Sequence, residues 1–281
     1  MLKLAIPNKG ALSDAAMRML AGAGYRTNRR GRQLSIRDDA TDTTIFFLRP
    51  RDIAIAVAEG TIDAGITGRD LLLDAGVDAF EMRALGFGRA TMRFAAPRGV
   101  FTDVHSLQGA RIATSFDRLL ASHLREQGVE ASIVHLDGAV ESSIMLGVAD
   151  AIADVVETGT TLKAAGLDVF GDPILSSEAV LITTRKARGN PQLDVLDRRL
   201  HGVMVARDYV LMDYNVHATM LEQAAAITPG FESPTVSHLR DPEWVAVRAL
   251  VKRGGLNDVM DDLHALGARA ILVTEVMSCR L

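Results

Sequence analysis

The sequence predicts an α/β chain of two similar lobes followed by a smaller split-β domain, and three observations carry that reading. Apolar runs of strand length alternate with helical segments up to about residue 208, which implies a mostly parallel sheet in each lobe with right-handed crossovers. The segment GTIDAGITG at 60–68 is echoed further on: Gly60, Asp63 and Ala64 match Gly147, Asp150 and Ala151 at a constant offset of 87 residues (147 − 60, 150 − 63 and 151 − 64). From Tyr209 the pattern becomes strand, helix, strand, strand, helix, strand, the ferredoxin-like split motif. Chance likeness between two short Gly/Asp/Ala units is the competing explanation of the echo.

At 281 residues the chain has material for two or three domains with sizeable cores. Apolar residues at 48% and charged residues at 23% describe a soluble globular protein, and a net charge of −4 argues against a general nucleic-acid or membrane binder. The single cysteine, Cys279, excludes internal disulfides and a cysteine-rich metal site and fits a reducing compartment. The start, MLKLAIPNKG, enters a strand with no apolar signal segment, and no run approaches the roughly 18 apolar residues of a membrane span, so a cytoplasmic location is expected. The seven histidines show no HxH or HExxH spacing and read as surface or packing residues.

In chain order, Leu2 to Ile6 is a strand, followed by Pro7, Asn8, Lys9, Gly10 and a helix from about Ser13 to Ala23. Lys9 sits beside a glycine at the carboxyl end of a first strand, where open parallel sheets bind ligands. Phe46 to Leu48 is a strand closed by Arg49, Pro50, Arg51 and Asp52, with Pro50 well placed at a helix start. The unit at 60–68 then supplies strand, Thr67-Gly68 and a helix. Leu85-Gly86-Phe87-Gly88 ends the first lobe. Met92 to Ala96, Arg111 to Ser115, Ser132 to Leu136 and Ala151 to Val156 are strands of the second lobe, with helices near Leu119 to Gln127 and Ala139 to Leu146. Val180 to Thr184 reads as a return strand, Arg185 to Asn190 as a linker and Leu193 to Met204 as a helix. The boundaries expected are 1–90 with 185–210 for the first lobe, 91–184 for the second and 211–281 for the last domain.

The stretch around which the chain is organised is Asp137 to Leu162. An Asp-Gly turn leads to a short helix, the apolar strand Ala151 to Val156, and the loop Glu157, Thr158, Gly159, Thr160, Thr161 before a helix at Leu162. Backbone N–H groups at a helix start, hydroxyls and a glycine form an anion cradle. The Thr-Gly pairs, Thr67-Gly68 and Thr158-Gly159, are offset by 91 (158 − 67), so this loop is four residues longer than its echo. An ordinary capped turn would look alike, since Thr and Gly also favour helix starts. Asp154 tilts the reading: an acid at the end of an apolar strand can accept hydrogen bonds from ribose hydroxyls while the loop holds a phosphate. No Walker motif and no GxGxxG is present. A cleft between the lobes would gather Lys9, Arg51, Asp70, Glu141 and Asp154 into one pocket.

These blocks together resemble the long form of the ATP phosphoribosyltransferase family, nearest to its actinobacterial members. The resemblance spans essentially the whole chain, through PNKG at 7–10, RPRDI at 49–53, DAGITGRDL at 63–71, LGFG at 85–88, DGAVE at 137–141, LGVADAIADVVETGTTL at 146–162 and TPGFESPT at 228–235. It implies a two-lobed, periplasmic-binding-protein-like catalytic core with a C-terminal ACT-like regulatory domain. The implied reaction is that of a pentosyltransferase opening histidine biosynthesis. A phosphoribosyl group passes from phosphoribosyl pyrophosphate (PRPP) to N1 of the ATP adenine, and pyrophosphate leaves. A ring nitrogen carries its own lone pair, so no Ser-His-Asp or Cys-His device is needed, and catalysis reduces to positioning and charge stabilisation. Mg²⁺ is the implied cofactor, held mainly through substrate phosphates.

By the same resemblance, Asp137, Gly138, Ala139, Glu141, Asp154, Thr158, Gly159, Thr160 and Thr161 serve PRPP. Lys9, Gly10, Arg51, Gly68 and Asp70 line the ATP side, and Asn215, Phe231, Ser233, Thr235 and Ala270 line a site for L-histidine as allosteric inhibitor. A homo-oligomer, dimer and hexamer, is implied. Two positions depart from the family pattern. Arg51 stands where many members carry Lys, and a guanidinium fork is not equivalent to a point charge. Thr160 stands where close relatives often carry Arg, which removes a cation from the loop. A non-catalytic binder of a small anion and an oligomeric scaffold for a catalytic partner are the alternatives; turnover by the purified chain separates them.

Overall fold

A computed structural model describes residues 1–29, 31, 33–156 and 159–280. The chain divides into two compact units, one of residues 1–21 and 25–195 and the other of residues 22–24 and 196–281. The first unit holds two sheets. Its first sheet has the order β2-β3-β1-β4-β11-β5, built from β1 (Leu2–Pro7), β2 (Ser35–Asp38), β3 (Thr43–Leu48), β4 (Ala64–Gly68), β5 (Phe80–Ala84) and β11 (Ala179–Thr183). Its second sheet has the order β10-β6-β9-β7-β8, from β6 (Ala90–Pro97), β7 (Arg111–Thr114), β8 (Ser132–His135), β9 (Ala151–Val156) and β10 (Leu167–Ser177).

The two sheets repeat one plan. In each, a central strand is flanked by two parallel partners: β1 pairs with β3 and β4, and β7 with β8 and β9. Four of the six strands of the first sheet (β1, β3, β4 and β5) and four of the five of the second (β7, β8, β9 and β10) run the same way, so the sheets are mostly parallel as the sequence expects, with β2, β11 and β6 running against them. β6 lies antiparallel to β9 and β10 antiparallel to β6, while β11 lies antiparallel to both β4 and β5. The physical reason is the double crossing of the chain. After β5 it leaves for the second sheet as β6, and after β10 it returns to the first as β11, so each lobe borrows a strand that arrives from the opposite end. The return strand, expected with 91–184, therefore pairs in the first sheet. All five of its residues, AVLIT, are buried. β2, β5 and β10 were not read from the sequence because they are edge or half-exposed strands without a clean apolar run.

Helices cover the sheets: α1 (Ala11–Gly22), α2 (Pro50–Ala58), α3 (Arg69–Ala75), α4 (Asp117–Glu126), α5 (Ser142–Met145) and α6 (Thr160–Ala164). α2 begins at Pro50, whose fixed φ and missing N–H suit the first helical position. It buries Ile53, Ala54 and Val57 against Ala5, Val180 and Ile182. Gly65 on β4 lets it approach, since a Cβ there would stand 2.3 Å from the Ile53 side chain. Full burial of each such Val or Ile contributes roughly 1.5–3 kcal/mol.

α7 (Pro191–Asp208) carries the chain into the second unit, and the division falls inside it, after Val195. That unit is a βαββαβ module, with β12 (Tyr209–His217), α8 (Leu221–Ile227), β13 (Thr235–His238), β14 (Trp244–Lys252), α9 (Leu256–Ala265) and β15 (Arg269–Glu275). Its sheet order, β13-β14-β12-β15, is antiparallel throughout, as the split motif requires. Val210, Met212, Tyr214 and Val216 alternate into its core, where the Tyr214 hydroxyl meets Thr228 Oγ1 at 2.7 Å.

Candidate functional site

The echo at 60–68 and 147–154 is structural. Asp63 accepts at Oδ2 from the Lys3 backbone N–H (2.7 Å) and donates its own N–H to the Lys3 carbonyl (3.0 Å). Asp150 does the same to Arg111, at 2.9 and 2.8 Å. In both lobes an aspartate just before a strand thus fixes its register against the central strand, and Ala64 and Ala151 start that strand fully buried.

β9 ends at a cavity of about 270 Å³ lined by Glu141, Asp154, Val156, Gly159 and Thr161. Burial pushes the Asp154 carboxyl above the usual carboxylate range; the Val155 N–H opposes that shift and the Glu141 charge adds to it. Gly159 holds φ +71°, a left-handed conformation that a β-branched residue resists, and opens α6. α6 is only five residues long, so an anion here would be held by loop amides and hydroxyls more than by a summed helix dipole. Thr158, expected in the cradle, lies outside the described residues, as does Glu157.

The Asp137-Gly138-Ala139 turn is tightly formed. Gly138 (φ +91°) donates to the Leu136 carbonyl at 3.1 Å and Ala139 takes φ +48°. Asp137 is exposed and lies beside His135, whose Nε2 is 3.5 Å away and whose Nδ1 is 2.9 Å from Asp117. The hydrogen bond to Asp117 raises the His135 pKa above its ordinary value.

The residues expected on the nucleotide side divide. Gly68 and Asp70 line a cavity of about 500 Å³ with Ala11 and Leu12 of α1, Phe87 to Ala90 of the crossing segment, and Val155, the neighbour of Asp154. Asp70 turns inward: its Oδ1 accepts from Ser177 Oγ at 2.9 Å, and its N–H donates to the same hydroxyl at 3.1 Å. A Cβ on Gly68 would stand 2.2 Å from that oxygen, so the glycine is what lets the carboxylate fold back. Lys9 is exposed and Gly10 adopts φ +81° immediately before Ala11 and Leu12, two of the four α1 residues that line the cavity.

Arg51 makes contacts across the lobes. Its guanidinium bonds Asp74 at 3.1 Å and the Ser115 carbonyl at 2.6 Å and lies 4.8 Å from the Phe116 ring centroid, tying the first lobe to the second. Asp74 completes the tie by accepting at 3.1 Å from the N–H groups of Arg118 and Leu119 in the first turn of α4. Sequence reasoning missed Asp74 and Ser177, whose partners are 23 and 107 residues away and leave no local signal, and His135, which meets Asp117 at the start of α4. It also passed over Asn8, whose buried Oδ1 has no partner among the described residues.

The five positions expected to sense histidine do not converge within the second unit. Asn215 and Ala270 lie at one end of the β12–β15 pair, where Ala270 takes φ +50° at a bulge. Phe231 sits 5.6 Å from Tyr209, six residues earlier on β12 and roughly 20 Å along the strand. Thr235 is two strands from Asp213, through Arg248, and Ser233 borders the turn at Gly230.

No group of three or more His, Cys, Asp or Glu is placed to hold a metal ion among the described residues, and no helix among them is long and apolar enough to cross a membrane. Comparison with known proteins now bears on this geometry. The family profile described as ATP phosphoribosyltransferase matches residues 49–202, and that of the HisG C-terminal domain matches residues 206–278. Proteins named ATP phosphoribosyltransferase from Pseudarthrobacter chlorophenolicus, Micrococcus luteus and Streptomyces coelicolor are 59%, 56% and 53% identical, each aligned over 100% of both chains. A solved chain of the ATP phosphoribosyl transferase (HisG:HisZ) complex from Thermotoga maritima superposes with a TM-score of 0.64 at 27% identity, covering 73% of this chain and 98% of that one. With two lobes repeating one strand plan, an acid-and-hydroxyl loop at the end of β9 and relatives matched end to end, the chain belongs to the ATP phosphoribosyltransferase family, enzymes of pentosyl transfer.

Proposed function

We propose that this chain transfers the phosphoribosyl group of PRPP to N1 of the ATP adenine with release of pyrophosphate, at the end of β9, with the nucleotide in the neighbouring cavity of Gly68 and Asp70. The observation that carries the reading is the pairing of Glu141 and Asp154 in one cavity with Gly159 and Thr161. Two carboxylates accept hydrogen bonds from ribose hydroxyls, while the glycine and hydroxyls admit a phosphate. Val155 lines both cavities, so the two substrates would lie next to each other at the same strand end. The adenine nitrogen needs no base. The work left to the protein is to align two anionic substrates and to place carboxylates near a sugar carbon that becomes electron-poor as pyrophosphate departs.

A magnesium ion suits this donor set, since Mg²⁺ takes hard oxygen ligands and binds through one or two carboxylates plus substrate phosphates. Glu141 and Asp154 would hold it, and when bound it neutralises the charge building on the pyrophosphate. A cation there would also offset the burial that keeps the Asp154 carboxyl above its ordinary pKa. The remaining assignments, Asp137 to Ala139, Thr158 and Thr160 toward PRPP and Lys9 and Gly10 toward ATP, belong to the same proposal. For Arg51 the interlobe tie is the better-supported role.

Histidine inhibition through the second unit is part of the proposal in a restricted form. Because Asn215 and Phe231 lie apart in one copy, a single histidine contacting both needs two copies of the domain, which links inhibition to a homo-oligomer. A cytoplasmic setting follows from the biosynthetic reaction. The deciding experiment is incubation of the purified chain with ATP, PRPP and Mg²⁺ while following adenine-derived absorbance: turnover without any partner is expected, and its absence overturns the assignment in favour of a binder or a scaffold.

A further inference from the structure

The loop after β9 separates two cavities of opposite character. On one side is the acidic cavity of Glu141 and Asp154; on the other is a cavity of about 380 Å³ that shares Val156, Gly159 and Leu162 with it. The second cavity is lined by Thr91 and Arg93 of β6 and Lys163 of α6, with Asp168 as its one acid among the described residues. Arg93 stands directly opposite Asp154 in the antiparallel β6–β9 register, so both project from the same face of the sheet. One nitrogen of its guanidinium, Nη2, donates to the Gly171 carbonyl at 2.6 Å, where β10 bulges between Phe170 and Leu175. Its Nε is buried and has no partner among the described residues. Asp168 is 3.8 Å from Arg98, so part of its charge is already answered.

We infer that this basic cavity is a phosphate subsite: Arg93, Lys163 and the Thr91 hydroxyl take a phosphate group of the phosphoribosyl substrate whose ribose hydroxyls lie on the Asp154 side of the loop. The inference rests on the proposed PRPP site and adds residues to it. The loop itself, Glu157 to Thr161, contains no lysine or arginine, so positive charge for a phosphate has to come from flanking elements. A buried guanidinium N–H without a partner is a costly arrangement that an anion would complete, and hydrogen bonds between charged groups are among the strongest available. The sugar then straddles Val156 and Gly159, with donors meeting acceptors on the acidic side and oxygens meeting cations on the other.

The test is calorimetric titration of the full chain with ribose 5-phosphate and, separately, with pyrophosphate, comparing wild type with Arg93→Gln, Lys163→Gln and Asp154→Asn. Both basic-cavity variants should weaken ribose 5-phosphate about tenfold and flatten the salt dependence of its binding, since hydrogen bonds to charged groups are of that size. Weakening of pyrophosphate alone would still support a phosphate subsite, holding the leaving group instead. Lys163 is exposed and its variant is not at risk of misfolding, which guards against a trivial loss in Arg93→Gln. If both variants bind both ligands as wild type does while Asp154→Asn does not, the subsite falls and the PRPP site stands. If wild type binds neither ligand, both fall.

Discussion

The β4–α3 and β9–α6 junctions are the same unit put to different use. Asp63 and Asp150 anchor the two strands identically, and three residues into each strand the equivalent positions are Thr67 and Asp154 (154 − 67 = 87). Thr67 is fully buried and donates to the Pro50 carbonyl at 2.8 Å. Asp154 accepts from the neighbouring Val155 N–H at 2.7 Å, has no such partner across the lobe among the described residues, and lines a cavity. Gly68 follows Thr67 directly and lets Asp70 fold back on Ser177, closing the junction on itself. The second loop is four residues longer in sequence. The strand-end residue of one lobe thus serves packing and that of the other lines a cavity, and the two differ in one side chain.

The comparison breaks most visibly at the second loop. Gly159→Val should lower kcat/KM for PRPP by about a hundredfold, because the left-handed backbone costs roughly 1–2 kcal/mol for an L residue and a shifted loop misplaces the phosphate. Steady-state kinetics with a melting curve will separate the two contributions. Asp154→Asn should raise the KM for PRPP roughly ten- to hundredfold, the value of hydrogen bonds to a charged group. Its stability should move the other way. The folded pKa lies above the unfolded one, so the ionised carboxylate opposes folding at pH above the folded value and not below the unfolded value. Melting curves should find the Asn variant at least as stable as wild type near neutral pH and no different near pH 3.

Changes in the first lobe should register as stability and leave PRPP kinetics alone. Gly65→Ala should cost about 1–3 kcal/mol in denaturant titration, because the new methyl must displace Ile53 in a packed sheet–helix interface. Thr67→Val should cost about 1 kcal/mol, the ordinary worth of a buried hydrogen bond, with an unchanged KM for PRPP. A Thr67→Val effect on PRPP binding as large as that of Asp154→Asn would erase the distinction between the lobes. The smallest effect is expected at His135, where the bond to Asp117 raises the folded pKa. Its stabilisation is present below the unfolded pKa of about 6.5 and disappears as pH rises through the higher folded value. His135→Gln should therefore lower the melting temperature slightly near pH 6 and not near pH 9.

What could be read in advance follows the range over which each signal acts. The apolar run Ala151 to Val156 is both strand and core, and the period-two pattern from Tyr209 to Val216 gives one buried face, so local periodicity was enough. β5 and β10 escaped because half-exposed strands mix polar and apolar residues and take their conformation from neighbours. Asp154 was legible as a candidate because an acid at the end of an apolar strand has few structural uses, and Glu141 through the resemblance carried by DGAVE. Arg51 was legible as a cation, while its contacts with Asp74, Ser115 and Phe116 were not, since they reach it only through the meeting of the lobes.

The sequence by itself determined the repeated unit, the longer second loop with its threonines and glycine, the βαββαβ module and the family. These depend on residue type and spacing, which act locally. Only the tertiary structure decided that β6 and β11 change places between the sheets, that Arg51 bonds across the lobes, and that Arg93 and Asp154, opposite each other in register, line different cavities. Those outcomes depend on which strands become neighbours, and pairing across a sheet is set by the packing of the whole lobe instead of by any single segment.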